Sequence, residues 1–81
     1  MITPKELKQK RLERYDEVAK SIESSIEYRN HNGHNTYEYV SRSLELLKYV
    51  DDILIAAGYD TIITASLTPP YTDYRLFVRW N

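Results

Sequence analysis

The sequence predicts an α+β domain in which two antiparallel amphipathic helices are followed by a C-terminal β-hairpin. Up to Ala57, apolar residues recur three or four positions apart, which places them on one face of a helix. From Thr61 to Trp80 they alternate with other residues, as they do on a strand. We therefore expect one domain, residues 1–81, with a helix at about 4–29, a loop at 30–35, a helix at about 36–57 and a hairpin at about 61–80.

The first helix has a clear start. Thr3 is a suitable N-cap, Pro4 suits the first helical position, and Glu6 follows the cap by three residues. Little apolar surface is present in the first two turns, and this section, residues 4–14, carries five basic and two acidic side chains, a net charge of +3. The apolar stripe then continues to about Arg29 through Leu12, Tyr15, Val18, Ala19, Ile22 and Ile26.

The second helix is predicted to begin after an Asn-rich loop. Asn35 or Thr36 can cap it, and Glu38 stands at the capping-box position if Asn35 is the cap. Gly58 supplies the left-handed residue that commonly ends a helix, with Tyr59 placed for the hydrophobic contact that accompanies it. The expected buried stripe is Val40, Leu44, Leu47, Val50, Leu54 and Ala57.

The hairpin is predicted from two alternating segments on either side of residues 69–73, where Pro69 and Pro70 cannot continue a central strand. In the return strand, Arg75, Phe77 and Arg79 share one face, and Tyr74, Leu76, Val78 and Trp80 share the other. A two-stranded hairpin is marginal and exposes two edges. We expect a second copy of the chain to complete it, most simply as a homodimer.

Composition excludes several classes of protein. The chain has 81 residues and no cysteine, so it has neither disulfides nor a thiolate nucleophile. Its longest apolar run, residues 53–57, is far too short to span a membrane, and the N-terminus begins with a polar helix. A pI near 6.1 argues against general nucleic-acid binding. These features predict a soluble cytoplasmic protein with no membrane contact.

Catalytic and metal-binding patterns are weak. His31 and His34 are spaced to reach one metal ion, but zinc normally needs further ligands, and a solvated loop explains them as well. Adjacent Asp51 and Asp52 point about 100° apart on a helix and cannot act as an acid/base pair. With only two glycines there is no phosphate-cradling loop. We expect no catalytic residue, no metal site and no cofactor, and therefore no enzyme.

Tyrosine is the compositional outlier, with eight residues against one Phe and one Trp. A small core that buries the rings and leaves the hydroxyls wet accounts for some of them. A protein-recognition surface is the functional interpretation, because tyrosine supplies contact area at little cost in entropy. A nucleotide pocket, with Arg75 or Arg79 holding phosphate, is the sharper alternative. The candidate partner-binding residues are Tyr37, Tyr39, Tyr71, Tyr74, Arg75, Phe77 and Arg79.

Two segments carry a resemblance to small accessory proteins encoded by bacteriophages. They are residues 46–59, a helix ending in Gly58-Tyr59, and residues 76–80, an aromatic-ended strand. The resemblance implies a compact helix-and-hairpin unit that forms oligomers and interferes with a host protein or host defence by binding, in the cytoplasm of the host. We therefore predict a non-enzymatic binding protein. The alternatives are a protein that sequesters a nucleotide signal between subunits, and a minor structural component of a virion.

Overall fold

The computed structural model describes the backbone of residues 1–68 and 71–81, with the side chains of all of these except Leu67, Thr68 and Tyr71. Within these ranges the chain forms two helices and a three-stranded antiparallel sheet, which confirms the α+β class. In chain order the elements are α1 Pro4–His31, β1 Thr36–Ser41, α2 Leu44–Ala56, β2 Asp60–Thr68 and β3 Tyr71–Arg79. Both helices pack on one face of the sheet, and the other face is open.

Helix α1 begins and ends as its sequence indicates. The backbone N–H of Glu6 donates to Thr3 Oγ1 at 3.2 Å, and Pro4 occupies the first turn. At the other end, Gly33 adopts a left-handed conformation (φ +85°) and His34 N–H donates to the carbonyl of Arg29 at 2.9 Å. The predicted loop at 30–35 is therefore shorter, because the helix continues to His31.

Helix α2 ends in the same glycine motif, as predicted. Gly58 is left-handed (φ +100°), and Tyr59 N–H donates to the carbonyl of Leu54 at 3.0 Å. Tyr59 packs against the core and meets Trp80 edge to face, with ring centroids 6.1 Å apart. The C-terminal end of β3 is thereby attached to the end of α2.

The predicted helix at 36–57 is wrong in its first eight residues. Residues 36–41 form strand β1, and α2 starts only after Ser43, whose hydroxyl caps the helix by accepting from Leu46 N–H at 3.2 Å. Val40, expected on the buried helical stripe, lies on the open side of the sheet and is exposed. Ala57 is the C-cap of α2 and is also exposed.

The helices are not antiparallel, because β1 reverses the chain between them. Arg11 pairs with Glu45 at 3.7 Å, and further along both helices Asp16 accepts a hydrogen bond from the Tyr49 hydroxyl. A contact that lies further toward the C-terminus of α1 also lies further toward the C-terminus of α2, so the two helices run in the same direction.

Strand β3 is the centre of the sheet, in the order β1-β3-β2. It begins at Tyr71 instead of Tyr74, because Thr72 and Asp73 already pair with Leu67 and Ser66 of β2. Of the predicted connection, Pro69 and Pro70 lie outside the described residues. Since β1 pairs with the far side of β3, the hairpin is completed by a strand of the same chain.

The core lies between the helices and the inner face of the sheet. Leu76 and Val78 of β3 meet apolar residues of both helices, and each is at most 1% exposed. This agrees with the predicted alternation along β3, which places Phe77 and the two arginines on the opposite face. The remaining core residues are Ile22, Ile26, Leu46, Leu47, Val50 and Leu54.

Candidate interaction surface

The open face of the sheet is built from the outward-pointing residues of all three strands. In the centre, Phe77 of β3 pairs with Ile62 of β2 on one side and with Glu38 of β1 on the other. One row further along β3, Arg75 pairs with Val40 and Thr64. Because alternate residues of a strand share a face, these side chains all point away from the helices. We call this set, with Arg79 and Asp60, the open face.

Three large apolar side chains of the open face meet solvent. Ile62 is 66% exposed, Val40 49% and Phe77 39%. Ile62 lies directly across from Phe77 and forms a cross-strand pair with it, whereas Val40 lies diagonal to Phe77 on the other side of β3. A hollow of about 340 Å³ adjoins Ile62 and Phe77 and is bounded by Asp60 and Arg79. The open face is therefore apolar around Ile62 and Phe77 and slightly concave beside them.

Ion pairs lie among and beside these apolar side chains. Arg75 contacts Glu38 at 3.3 Å, and Arg79 contacts Asp60 at 3.8 Å. At the end of the sheet, Arg42 contacts Asp73 at 3.6 Å. Each pair is largely exposed and adds little to stability. Their effect is to balance the charge of the arginines, so the face is mixed and close to neutral. From the sequence alone this face shows Phe77 with Arg75 and Arg79, and the carboxylates that balance the arginines become evident only in the structure.

The predicted partner-binding residues separate into two groups. Arg75, Phe77 and Arg79 lie together on the open face. Tyr37, Tyr39 and Tyr74 lie on the inner face, half-buried against the core. Tyr71 is the first residue of β3, and its side chain is outside the described set. The tyrosines and the two arginines thus point to opposite sides of one sheet and do not share a pocket within one chain. A nucleotide site formed between two subunits stays a prediction.

Sequence reasoning missed Val40, Glu38 and Asp60 as members of this surface. Val40 and Glu38 were assigned to a helix, where they would not face Phe77. The signal that could have placed them is the segment Thr36–Ser41, in which Tyr37 and Tyr39 alternate with polar residues and four of six residues are β-branched or aromatic.

The structure also bears on the two histidines, on metal binding and on membrane-spanning helices. His31 and His34 flank the glycine turn after α1 and are exposed. Within the described ranges, no three His, Asp or Glu side chains converge to hold a metal ion. Neither described helix is a candidate membrane span, since α2 has 13 residues and α1 carries many charges.

Comparisons with known proteins found no significant match to this chain. No protein-family model matches the chain, and the searches of curated proteins and of solved structures returned no significant match.

Proposed function

We propose that this protein is a non-enzymatic binding protein that uses the open face to recognise a partner protein. The observation that supports the proposal is the cluster of Val40, Ile62 and Phe77, exposed at the centre of a sheet and bordered by ion pairs. An apolar centre with a polar rim containing arginine is the usual anatomy of a protein interface. Large apolar side chains exposed near one another commonly mark an interaction site.

The partner to test first is a bacterial host protein. This choice rests on the resemblance of residues 46–59 and 76–80 to phage accessory proteins, and on the electrical balance of the open face. With Arg75 and Arg79 held by Glu38 and Asp60, the surface suits a protein of mixed charge better than a polyanion. In this proposal, the protein acts in the host cytoplasm by covering a surface of its target.

The test compares two substitutions of the same kind at different places. Ile62→Lys puts a charge at the centre of the open face, whereas Ile55→Lys changes an isoleucine of α2 that is also more than half exposed (55%). Tagged wild-type and variant proteins are incubated with host lysate, and the captured proteins are identified by mass spectrometry. We expect a partner that is retained by wild type and by Ile55→Lys but lost with Ile62→Lys. Equal retention by all three would exclude the open face.

Self-association is the second part of the proposal and involves the free edge of β2. Trp80 N–H donates to the carbonyl of Asn35 at 3.0 Å, which fixes the alternation of hydrogen bonds across β3. Continuing that alternation, Thr61, Ile63 and Ala65 direct their backbone groups away from the sheet. Residues 61–66 contain no charge and no proline, the devices that normally protect an edge. Antiparallel pairing of two β2 strands would join the sheets of a dimer.

Proline substitutions in β2 can test the role of its edge in dimerisation apart from its role in the fold. Ala65→Pro removes an outward N–H and leaves the hydrogen bonds to β3 intact, whereas Thr64→Pro removes one that faces β3. We expect sedimentation equilibrium to show a dimer for wild type and a folded monomer for Ala65→Pro. Thr64→Pro should instead lower the free energy of unfolding. A wild-type monomer at all concentrations would contradict the dimer and leave the open face as the recognition surface of a monomer.

A further inference from the structure

A second concave region lies on the helix-covered side of the molecule. It is a cleft of about 740 Å³ between the N-terminal half of α1 and the junction of β1 with α2. All residues from 1 to 14 are exposed, so this part of α1 extends beyond the core and forms one wall. The opposite wall comes from Tyr39 to Leu46. The residues that line the cleft are Leu7, Lys10, Arg11, Arg14, Tyr15, Val18, Tyr39, Ser41, Arg42, Ser43 and Leu46.

The lining of the cleft is strongly basic. Four of its side chains are cations, and no described carboxylate lines it. Arg11 and Arg42 have acidic partners just outside, Glu45 and Asp73, in pairs at 3.7 Å and 3.6 Å that solvent screens. Lys10 and Arg14 have no ion-pair partner among the described residues. Their charges repel one another, and an anion bound between them would relieve this repulsion.

Aromatic and aliphatic groups form the floor of the cleft. Tyr15 and Tyr39 are half-buried and pack against the core. Tyr15 is held by Tyr49, with ring centroids 5.6 Å apart and planes tilted by 50°, and the Tyr49 hydroxyl donates to Asp16. Leu7 remains 51% exposed at the rim. Rings fixed in this way offer a flat apolar surface without a further loss of side-chain entropy.

We propose that this cleft binds a nucleoside phosphate. The base would lie against Tyr15 and Tyr39, and the phosphate would be held by Lys10 and Arg14, with Arg42 on the opposite wall. Arginine matches phosphate oxygens in a bidentate manner, and the volume falls within the roughly 300–1,000 Å³ typical of small-molecule sites.

The proposal rests on side chains, since two amides at the start of α2 already have acceptors. The Ser43 hydroxyl already accepts from Leu46 N–H, and the Ser41 hydroxyl accepts from Ser43 N–H at 3.1 Å. Apart from Arg42, whose partner Asp73 lies at the end of the open face, the cleft is lined by residues on the other side of the sheet. Substitutions at Lys10, Arg14 and Tyr15 therefore test the cleft independently of the open face.

Isothermal titration calorimetry with matched probes tests the ligand class. ADP, GDP and UDP present a base with phosphate, adenosine presents a base alone, and pyrophosphate presents phosphate alone. We expect at least one of the three nucleotides to bind about tenfold tighter than either fragment, since ring and phosphate contacts act together. Absence of saturable binding by all three nucleotides would overturn the proposal. So would binding of polyglutamate without nucleotide binding, which would indicate an acidic peptide site.

Charge reversal on α1 tests the location. Lys10→Glu/Arg14→Glu changes the cleft, and Lys5→Glu/Lys8→Glu makes the same change of net charge on the same helix outside the lining. We expect the first variant to weaken nucleotide binding by about a hundredfold and the second by less than about threefold. Equal losses would show nonspecific attraction and overturn the site. Circular dichroism checks that both variants keep their helices.

Removal of one ring tests the role of the tyrosines. Tyr15→Leu keeps most of the side-chain volume and removes the aromatic face. We expect weaker binding of the nucleotide and unchanged binding of pyrophosphate. An unchanged nucleotide affinity would show that the ring does not contact the base.

Discussion

Substitutions on the two faces of the sheet should differ greatly in their effect on the free energy of unfolding, even at neighbouring positions. Leu76 is completely buried beneath the helices, whereas Ile62 is 66% exposed on the open face. Ile62 pairs with Phe77, the residue that directly follows Leu76. Truncation of each to alanine therefore compares the two sides of one sheet at almost the same place.

The magnitudes follow from burial. Leu76→Ala removes buried methyl groups and leaves a cavity, which costs about 3–5 kcal/mol. Ile62→Ala removes part of a side chain of which only about a third is buried, which lowers the free energy of unfolding by about 0.5–1 kcal/mol. A domain of 81 residues has a total stability of about 4–12 kcal/mol. The first substitution should thus remove a large fraction of the stability, and the second a small one.

Urea unfolding monitored by circular dichroism and by Trp80 fluorescence measures this difference. With a slope of about 1 kcal/mol per molar urea for a small protein, the midpoint should fall by about 3 M or more for Leu76→Ala and by less than about 1 M for Ile62→Ala. If Leu76→Ala does not fold in water, Leu76→Val provides a graded version. Equal costs, or a larger cost at Ile62, would refute the assignment, because a register shift by one residue exchanges the two faces.

Three further predictions concern the helices. Asp51 has a buried carboxylate oxygen without a hydrogen-bond partner among the described residues, so Asp51→Ala should raise the free energy of unfolding by about 1 kcal/mol in urea denaturation. Ser43→Ala removes the N-cap of α2 and should lower it by about 1 kcal/mol in the same assay, while Leu46 N–H loses its acceptor. The hydrogen bond to the Asp16 carboxylate, with smaller contributions from desolvation and from the charge of Asp16, raises the pKa of Tyr49 above its ordinary value. The resulting stabilisation is present below about pH 10 and is lost as pH rises through the pKa of folded Tyr49. An NMR titration of the Tyr49 ring should therefore give a pKa above the ordinary value for tyrosine, and Asp16→Asn should lower it.

Local signals in the sequence were sufficient for α1, for the end of α2 and for the faces of the hairpin. Thr3 and Pro4 begin a helix through backbone geometry and capping alone, and Gly58 ends one because it tolerates positive φ. In the return strand, the alternation about Leu76 separates a buried face from an exposed one whatever the partners are. None of these inferences depends on contacts distant in sequence.

The start of α2 could not be settled in this way, because residues 36–43 satisfy two patterns. Asn35 and Glu38 resemble a capping box, and Val40 stands four residues before Leu44, as in a helical stripe. The same residues alternate as a strand. The pairing of Tyr39 with Leu76 decides between them, and it joins residues 37 positions apart. A short segment of this kind takes its conformation from tertiary contacts.

This misassignment also determined what could be predicted of the candidate surface. With only two strands, Arg75 lacked its carboxylate partner Glu38 on β1, and the apolar group lacked Val40. The cleft on the other side was missed for the same reason, since Tyr39 and Arg42 reach it only when β1 precedes α2. One strand therefore creates both proposed sites.

Hydrogen exchange of the amides in β1, measured residue by residue by NMR, tests this account most directly. If β1 pairs with β3, the N–H groups of Tyr37, Tyr39 and Ser41 donate to the sheet and those of Glu38 and Val40 face outward. We expect slow exchange at the first three positions and fast exchange at the other two. Continuous protection from residue 39 into α2 would indicate a helix, and it would remove the three-stranded open face.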